Sequence, residues 1–244
     1  MKKLFLAAAI ATTLFAGAAG VARAEDAKPD NDVSYNVSVV SDYRYRGISQ
    51  TTLDPALQGG ADYVNNPTGF YAGTWLSTIH WITDQGGDAH AEWDLYGGKR
   101  GDITKDISYD VGVLSYVYAS NDLPTSANTT EVYGQLSYGP AYAKYSYSLT
   151  NLFGFVDSKG SGYLDLGANI DAGNGFTFNL HAGHQNVANN SSFSYTDWKI
   201  GVTKDFGVVT GSLAAIGTNT SNYVAANGNN LGKTGLVLSI AKTF

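Results

Sequence analysis

The chain has 244 residues, 15% charged and 43% hydrophobic, with 29 Gly, 17 Tyr, 10 Phe, 4 Trp and no Cys. That charge fraction lies below the ~25% of an ordinary soluble domain, and the Gly and Tyr surplus suits tightly turned sheet better than helix. An all-helical fold is disfavoured, and the absence of Cys excludes a disulfide scaffold, a Cys-ligated zinc site and a thiol nucleophile.

The first element reads as a secretory signal peptide over residues 1–24. Lys2 and Lys3 precede an apolar run over 4–19, and Ala22-Arg23-Ala24 supplies a small-residue cleavage site. An amphipathic first helix of a cytosolic domain is the alternative, and it fails because no polar face exists between Leu4 and Phe15. Cleavage after Ala24 leaves 12 basic against 21 acidic residues, a mature net charge of −9, which disfavours nucleic acid or another polyanion as partner. Residues 25–32 are then a short periplasmic segment ahead of a barrel over 33–244.

Beyond Glu25 no apolar run approaches the ~18–20 residues of a membrane-spanning helix. Short segments alternate apolar and polar residues instead, as a sheet with two unlike faces requires. In the first, over 33–46, Val33, Tyr35, Val37, Val39, Tyr43 and Tyr45 share one face, and Ser34, Asn36, Ser38, Asp42, Arg44 and Arg46 the other, with Val40 as the exception. That length exceeds the ~5–6 residues of a typical globular strand and fits one that crosses a bilayer at a tilt. Weaker segments follow over 56–64 and 70–79, the second with two equally apolar faces. Alternation is clear again around Trp93, over 107–113, 131–138, 144–149, 163–170, 176–182 and 197–203, and weaker over 208–216 and 235–244. Charge keeps almost wholly to one face.

The fold expected is therefore all-β: a transmembrane antiparallel up-and-down β-barrel of about twelve strands. With a periplasmic N-terminus, short turns at 65–69, 99–106, 139–140, 171–175 and 204–207 alternate with longer extracellular connections at 47–55, 80–88, 119–129, 150–161, 184–194 and 217–233. Aromatics fall at the strand ends as interfacial girdles, Tyr35, Tyr109, Tyr138, Phe176, Phe206 and Phe244 on one side and Tyr43, Tyr45, Trp93, Tyr147 and Trp198 on the other. The last strand ends in Phe244, similar to the terminal signature read by the outer-membrane barrel-assembly machinery; Lys242 departs from the apolar residue usual there but can snorkel to the interface.

The stretches Ser41-Asp-Tyr-Arg-Tyr-Arg-Gly-Ile-Ser-Gln-Thr51, Pro55-Ala-Leu-Gln-Gly-Gly-Ala-Asp-Tyr63, Gly69-Phe-Tyr-Ala-Gly-Thr-Trp75 and Glu92-Trp-Asp-Leu-Tyr-Gly-Gly98 resemble the TorF-family porins of proteobacteria. The likeness is strong over residues 41–113 and thereafter rests on strand pattern and the end strand. It implies an outer-membrane barrel with a pore role, and it brings no established substrate and no catalytic residues.

On the inward face this phasing places Asp42, Asp62, Glu92, Asp94, Asp110, Glu131, Asp165 and Asp197 against Arg44, Arg46, Lys144 and Lys199, an acidic excess of 4. These are the candidate pore-lining residues. About twelve strands leave a lumen between the side-chain-filled interior of 8 and the open channel of 16–18. The leading expectation is a narrow diffusion channel for small solutes with a modest preference for cations, embedded in outer-membrane lipid and lipopolysaccharide. The alternative is a closed structural or adhesive barrel that acts through its outer loops. An enzyme is less favoured: His80 and His184 fall in expected loops, His90 and His181 on separate strands, and no spacing joins any of them to a nucleophile. Nothing in the sequence calls for a cofactor or a metal.

Overall fold

A computed structural model describes residues 29–244. The expected signal peptide over 1–24, and residues 25–28 after it, lie outside the described residues. The barrel strands are β1 (Asn31–Val40), β4 (Ala56–Asn65), β5 (Phe70–Thr78), β6 (Ala91–Asp102), β7 (Ile107–Val117), β8 (Thr129–Tyr138), β9 (Ala141–Ser148), β10 (Gly162–Gly173), β11 (Phe176–Asn186), β12 (Tyr195–Asp205), β13 (Thr210–Thr218) and β14 (Gly235–Thr243). A separate hairpin is made of β2 (Arg44–Tyr45) and β3 (Ile48–Ser49). Each barrel strand pairs antiparallel with its sequence neighbours, and β1 closes the ring by pairing with both β4 and β14, Val39 lying opposite Leu57 and Ile240. Closure removes every free sheet edge, the condition under which a sheet can stand in lipid. Among the described residues the helical content is slight, one turn at Trp81–Asp84 (α1) and a 3-10 turn at Ser191–Phe193. No helix among the described residues is long and apolar enough to cross a membrane.

Alternation sorts the side chains as the sequence indicates. Along β1, Val33, Tyr35, Val37 and Val39 face outward, Val39 54% exposed, while Ser38 and Val40 are buried within. The same outward belt continues through Leu57, Leu76, Leu95, Val111, Val132, Leu164, Leu180, Ile200, Leu213 and Leu238, so it encircles the barrel. The strand with two apolar faces is β5: Phe70 and Leu76 point out, and Tyr71, Trp75 and Ser77 point in. Its faces look alike because the interior there is aromatic, Trp75 meeting the ring of Tyr43 edge-on at 5.4 Å.

The composition has a packing cause. Tyr96 stands directly opposite Gly73, Tyr71 opposite Gly98, Tyr133 opposite Gly112 and Tyr142 opposite Gly167, each ring lying across the bare backbone of the next strand. A Cβ on Gly167 would come within 2.4 Å of the Tyr142 ring. Gly167→Ala is therefore expected to cost about 1–3 kcal/mol by overpacking. The cost should largely vanish in a Tyr142→Ala background; urea unfolding of the four members of this cycle measures it.

The connections differ at the two ends. One end carries the short turns 66–69, 103–106, 139–140, 174–175 and 206–209, the other the connections 41–55, 79–90, 118–128, 149–161, 187–194 and 219–234. The turn Asn174-Gly175, with φ of +53° and +77°, is the mirror-type two-residue turn that matches strand twist.

The expected first strand is corrected. Alternation carries it to Arg46, but β1 ends at Val40 and the chain turns into the barrel. Ser41 ends it by donating its N–H to the Leu238 carbonyl at 2.8 Å and accepting the Leu238 N–H on its hydroxyl at 2.9 Å. Residues 42–51 are then almost all buried, so Tyr43 and Tyr45 belong to the interior and not to the outer girdle. The stretch 47–55, expected as an extracellular loop, continues this inward excursion through Thr51 and is exposed again at Asp54 and Pro55. The other girdle positions stand nearer the expectation, with Tyr35, Tyr138, Phe176, Phe206, Phe244, Trp93 and Tyr147 exposed. Lys242 sits beside them, its ammonium 4.9 Å from the Phe244 ring centre.

Candidate functional site: the barrel interior and its inward hairpin

The inward hairpin pairs Arg44 with Ser49 and Tyr45 with Ile48, leaving Arg46 and Gly47 as a two-residue tip with φ of +46° and +79°. Mirror-type turns need positive φ at both positions, which Gly adopts freely and arginine only at a cost. The tip presses on the wall, since a Cβ on Gly47 would lie 2.6 Å from the Thr218 side chain. Asp42 braces the base, accepting from Arg44 Nε at 2.7 Å and from the Ser49 hydroxyl at 2.6 Å. The Gln50 carbonyl accepts the N–H groups of His80 and Trp81, so the connection carrying α1 seats on the hairpin from the long-loop end.

Four side chains anchor the hairpin, three of them to wall strands and Arg44 to the connection 219–234. The Tyr43 phenol donates to Glu92 Oε1 on β6 at 2.6 Å, and Tyr118 donates to Oε2 of the same carboxylate at 2.6 Å. Burial first, then the adjacent Glu92, pushes both phenols well above the ordinary tyrosine range, which keeps them as donors. The hydroxyls of Tyr45 and Tyr116 meet at 2.6 Å, and Phe153 packs edge-on against both rings. Arg44 Nη1 donates to the Lys233 carbonyl at 2.6 Å. Arg46 reaches furthest: its Nη1 and Nη2 donate to the two oxygens of Glu131 on β8 at 3.1 and 2.6 Å, and Nη1 also donates to Gln185 Oε1 on β11 at 2.6 Å. Its guanidinium lies over the rings of Tyr45 and Tyr163, at 4.7 and 4.2 Å. Hydrogen bonds to charged partners are worth about 1.5–3 kcal/mol each, so these contacts fix one conformation.

Below the hairpin the interior separates into two walls. On β4–β8, Tyr96 donates to Asp62 at 2.6 Å and Tyr71 to Asp110 at 2.5 Å, with the Tyr71 and Tyr133 hydroxyls also paired. Asp94 is buried between Trp75 and Tyr116 on the flanking strands, and its Oδ1 has no hydrogen-bond partner. Arg100 lies 5.4 Å from the centre of the Tyr71 ring. On β9–β12, His181 Nδ1 meets Asp165 at 2.8 Å and Nε2 meets Asp197 at 2.6 Å, while Tyr163 donates to Asp197 at 2.9 Å. Lys144 stands opposite Asp165 with its ammonium 4.2 Å from the Tyr133 ring centre, and Lys199 stands opposite His181.

Of the twelve residues singled out from sequence, Asp62, Glu92, Asp94, Asp110, Glu131, Lys144, Asp165, Asp197 and Lys199 thus stand on the inner faces of strands. Asp42, Arg44 and Arg46 lie on the hairpin that fills the interior, not on a wall strand. Arg46 joins Glu131, and Asp42 joins Arg44, as ion pairs. Arg100 also stands on the inner face and continues the parity of Glu92 and Asp94, while Gln185 and Tyr163 take roles that depend on inter-strand register, which no local pattern carries. His184, placed in a loop, lies on β11 with its Nδ1 3.1 Å from the Thr196 hydroxyl. Chemically, this interior presents charged and hydrogen-bonding side chains, many of them paired with one another. Both nitrogens of His181 are engaged by carboxylates, so that ring has no free lone pair, and no group of three or more His, Asp or Glu among the described residues is arranged to hold a metal ion.

The fold and interior together define a closed twelve-stranded antiparallel barrel, apolar outside and charged within. The chain belongs to the family described as "Bacterial protein of unknown function (Gcw_chp)", whose model matches residues 23–244. No curated protein matches it. Among solved structures it is similar to the KdgM porin in complex with disordered oligogalacturonate, at 6% identity and TM-score 0.54, over 87% of this chain and 98% of that one. A membrane protein from work on in-meso crystallization matches at 9% identity and TM-score 0.53, over 87% of this chain and 83% of that one. OccAB3 of Acinetobacter baumannii gives 10% identity and TM-score 0.42, over 88% of this chain and 65% of that one. At such identities the likeness is one of fold.

Proposed function

We propose that this protein is an outer-membrane barrel acting as a narrow porin-like channel for small solutes, modestly selective for cations and without catalytic activity. The observation that carries the reading is the closed barrel's pairing of an unbroken apolar exterior with a charged interior. Water would not tolerate such a belt and lipid would, while lipid could not solvate the interior. In this reading the chain is exported through a cleaved signal peptide, engages the assembly machinery through β14 and Phe244, and stands in outer-membrane lipid and lipopolysaccharide. The resemblance to the TorF-family porins points the same way.

The charge inventory sets the selectivity. Eight inward carboxylates, Asp42, Asp62, Glu92, Asp94, Asp110, Glu131, Asp165 and Asp197, face the strong bases Arg44, Arg46, Arg100, Lys144 and Lys199 and the doubly hydrogen-bonded ring of His181. A surplus of carboxylates raises the local cation concentration, and its small size keeps the preference modest. It also argues against an acidic oligosaccharide like the oligogalacturonate held by KdgM as the solute here. The cation preference should fade above ~0.1 M salt, where the Debye length falls below ~10 Å. Asp62→Asn, which removes a half-buried inward carboxylate, should shift the reversal potential in a salt gradient toward zero, and Lys199→Gln should shift it away.

The hairpin favours a second reading, a closed barrel that works through its long connections, because its anchored aromatic side chains occupy the lumen. Liposome swelling separates the two. A channel admits a pentose and excludes a long oligosaccharide, whereas a closed barrel admits neither.

A further inference from the structure

The cage around Arg46 is built without the hairpin. Gln185 Nε2 donates to the carbonyls of Gly162 and Asn186 at 3.1 and 3.0 Å, which fixes the amide and turns its oxygen toward the guanidinium. The Tyr163 hydroxyl is held by Asp197 at 2.9 Å and lies 3.1 Å from His181 Nε2, so the ring keeps its place beside the guanidinium. Glu131 presents both oxygens. A bidentate carboxylate, an amide oxygen and an aromatic face complement a flat, five-donor cation and fit a compact ammonium poorly.

The occupant, by contrast, sits under strain. Arg46 is a non-glycine residue at φ +46°, in the left-handed region, and its buried Nε has no partner. Backbone strain of this kind persists where side-chain contacts over-determine it, and here those contacts are the cage. We propose that Glu131, Gln185 and Tyr163 form a guanidinium-binding site of the barrel wall, that Arg46 is its resident occupant, and that solutes bearing a guanidinium group compete with Arg46 for it. Competition frees the hairpin tip, the attachment that reaches furthest across the lumen. That consequence for transport rests on the channel reading; the binding site does not.

The test uses the full mature chain refolded in detergent, with folding checked by heat-modifiable gel migration. Calorimetric titration with methylguanidinium is expected to show binding to Arg46→Ala at least about tenfold tighter than to wild type, whose own arginine competes, and about tenfold tighter than methylammonium binds. Glu131→Gln added to Arg46→Ala should remove that binding. If Arg46→Ala does not fold, Arg46→Lys keeps the charge, lacks the fork and should still bind methylguanidinium more tightly than wild type. Equal binding of methylammonium, no binding to either Arg46 variant, or indifference to Glu131→Gln would overturn the proposal. In planar bilayers Arg46→Ala should conduct more than wild type, with methylguanidinium reducing the difference. Silent bilayers with calorimetric binding intact would support the site while counting against the channel.

Discussion

Replacing His181 with alanine is expected to destabilise the folded barrel by about 3–5 kcal/mol, the range for removing one partner from a buried ion pair. The ring stands between two carboxylates that are almost wholly buried, at 2.8 Å from Asp165 and 2.6 Å from Asp197. Ionised carboxylates only accept hydrogen bonds, so this geometry suits a ring that donates from both nitrogens. Without it, two like charges face each other across β11, and Asp197 keeps the Tyr163 hydroxyl as a partner. The penalty comes from two buried carboxylates left facing each other, which Lys144 and Lys199 offset only in part, more than from lost packing. Asp165→Asn with Asp197→Asn in the His181→Ala background should therefore recover much of the loss. Urea unfolding in lipid vesicles, read from the heat-modifiable gel shift, measures it, and a cost below ~1 kcal/mol for the single variant would remove the charge cluster from the account.

Arginine in place of Val111 should cost about 2–4 kcal/mol, the depth-dependent price of a lipid-facing cation near the bilayer midplane. Val111 is 48% exposed in the middle of β7, on the apolar belt. The comparison is Thr177→Arg on β11, half-buried on the inner face near the short-turn end, which should change stability little. Ser38, though also inward, is a poor comparison because it lies buried and donates to Gln58 at 3.3 Å. Equal responses at positions 111 and 177 would mean that the exterior does not face lipid.

Strand faces were legible because alternation is a local property: the parity that places Val111 outside and Asp110 inside is written in consecutive residues. The ring of strands and the uneven connections followed from the same periodicity. The hairpin was not legible for the same reason. Extended backbone alternates whether it runs in the wall or inside the lumen, so Tyr43 and Tyr45 read as lipid-facing while Arg44 and Arg46 read as wall charges. Only the Ser41–Leu238 hydrogen bonds show where the wall strand stops. The site was half legible. Charge on the inner face could be read, and Arg100 could have been by extending the parity of Glu92. The pairing of His181 with Asp165 and Asp197 depends on the register of three strands, a property of the assembled sheet.

Single-channel recording in a tenfold potassium chloride gradient decides whether the charged lumen conducts. Refolded wild-type protein should give discrete conductance steps with a reversal potential displaced modestly to the cation-selective side, and the displacement should shrink as salt rises. Correctly folded protein that leaves the bilayer silent would contradict the channel, and a reversal potential on the anion side would contradict the carboxylate-dominated lumen.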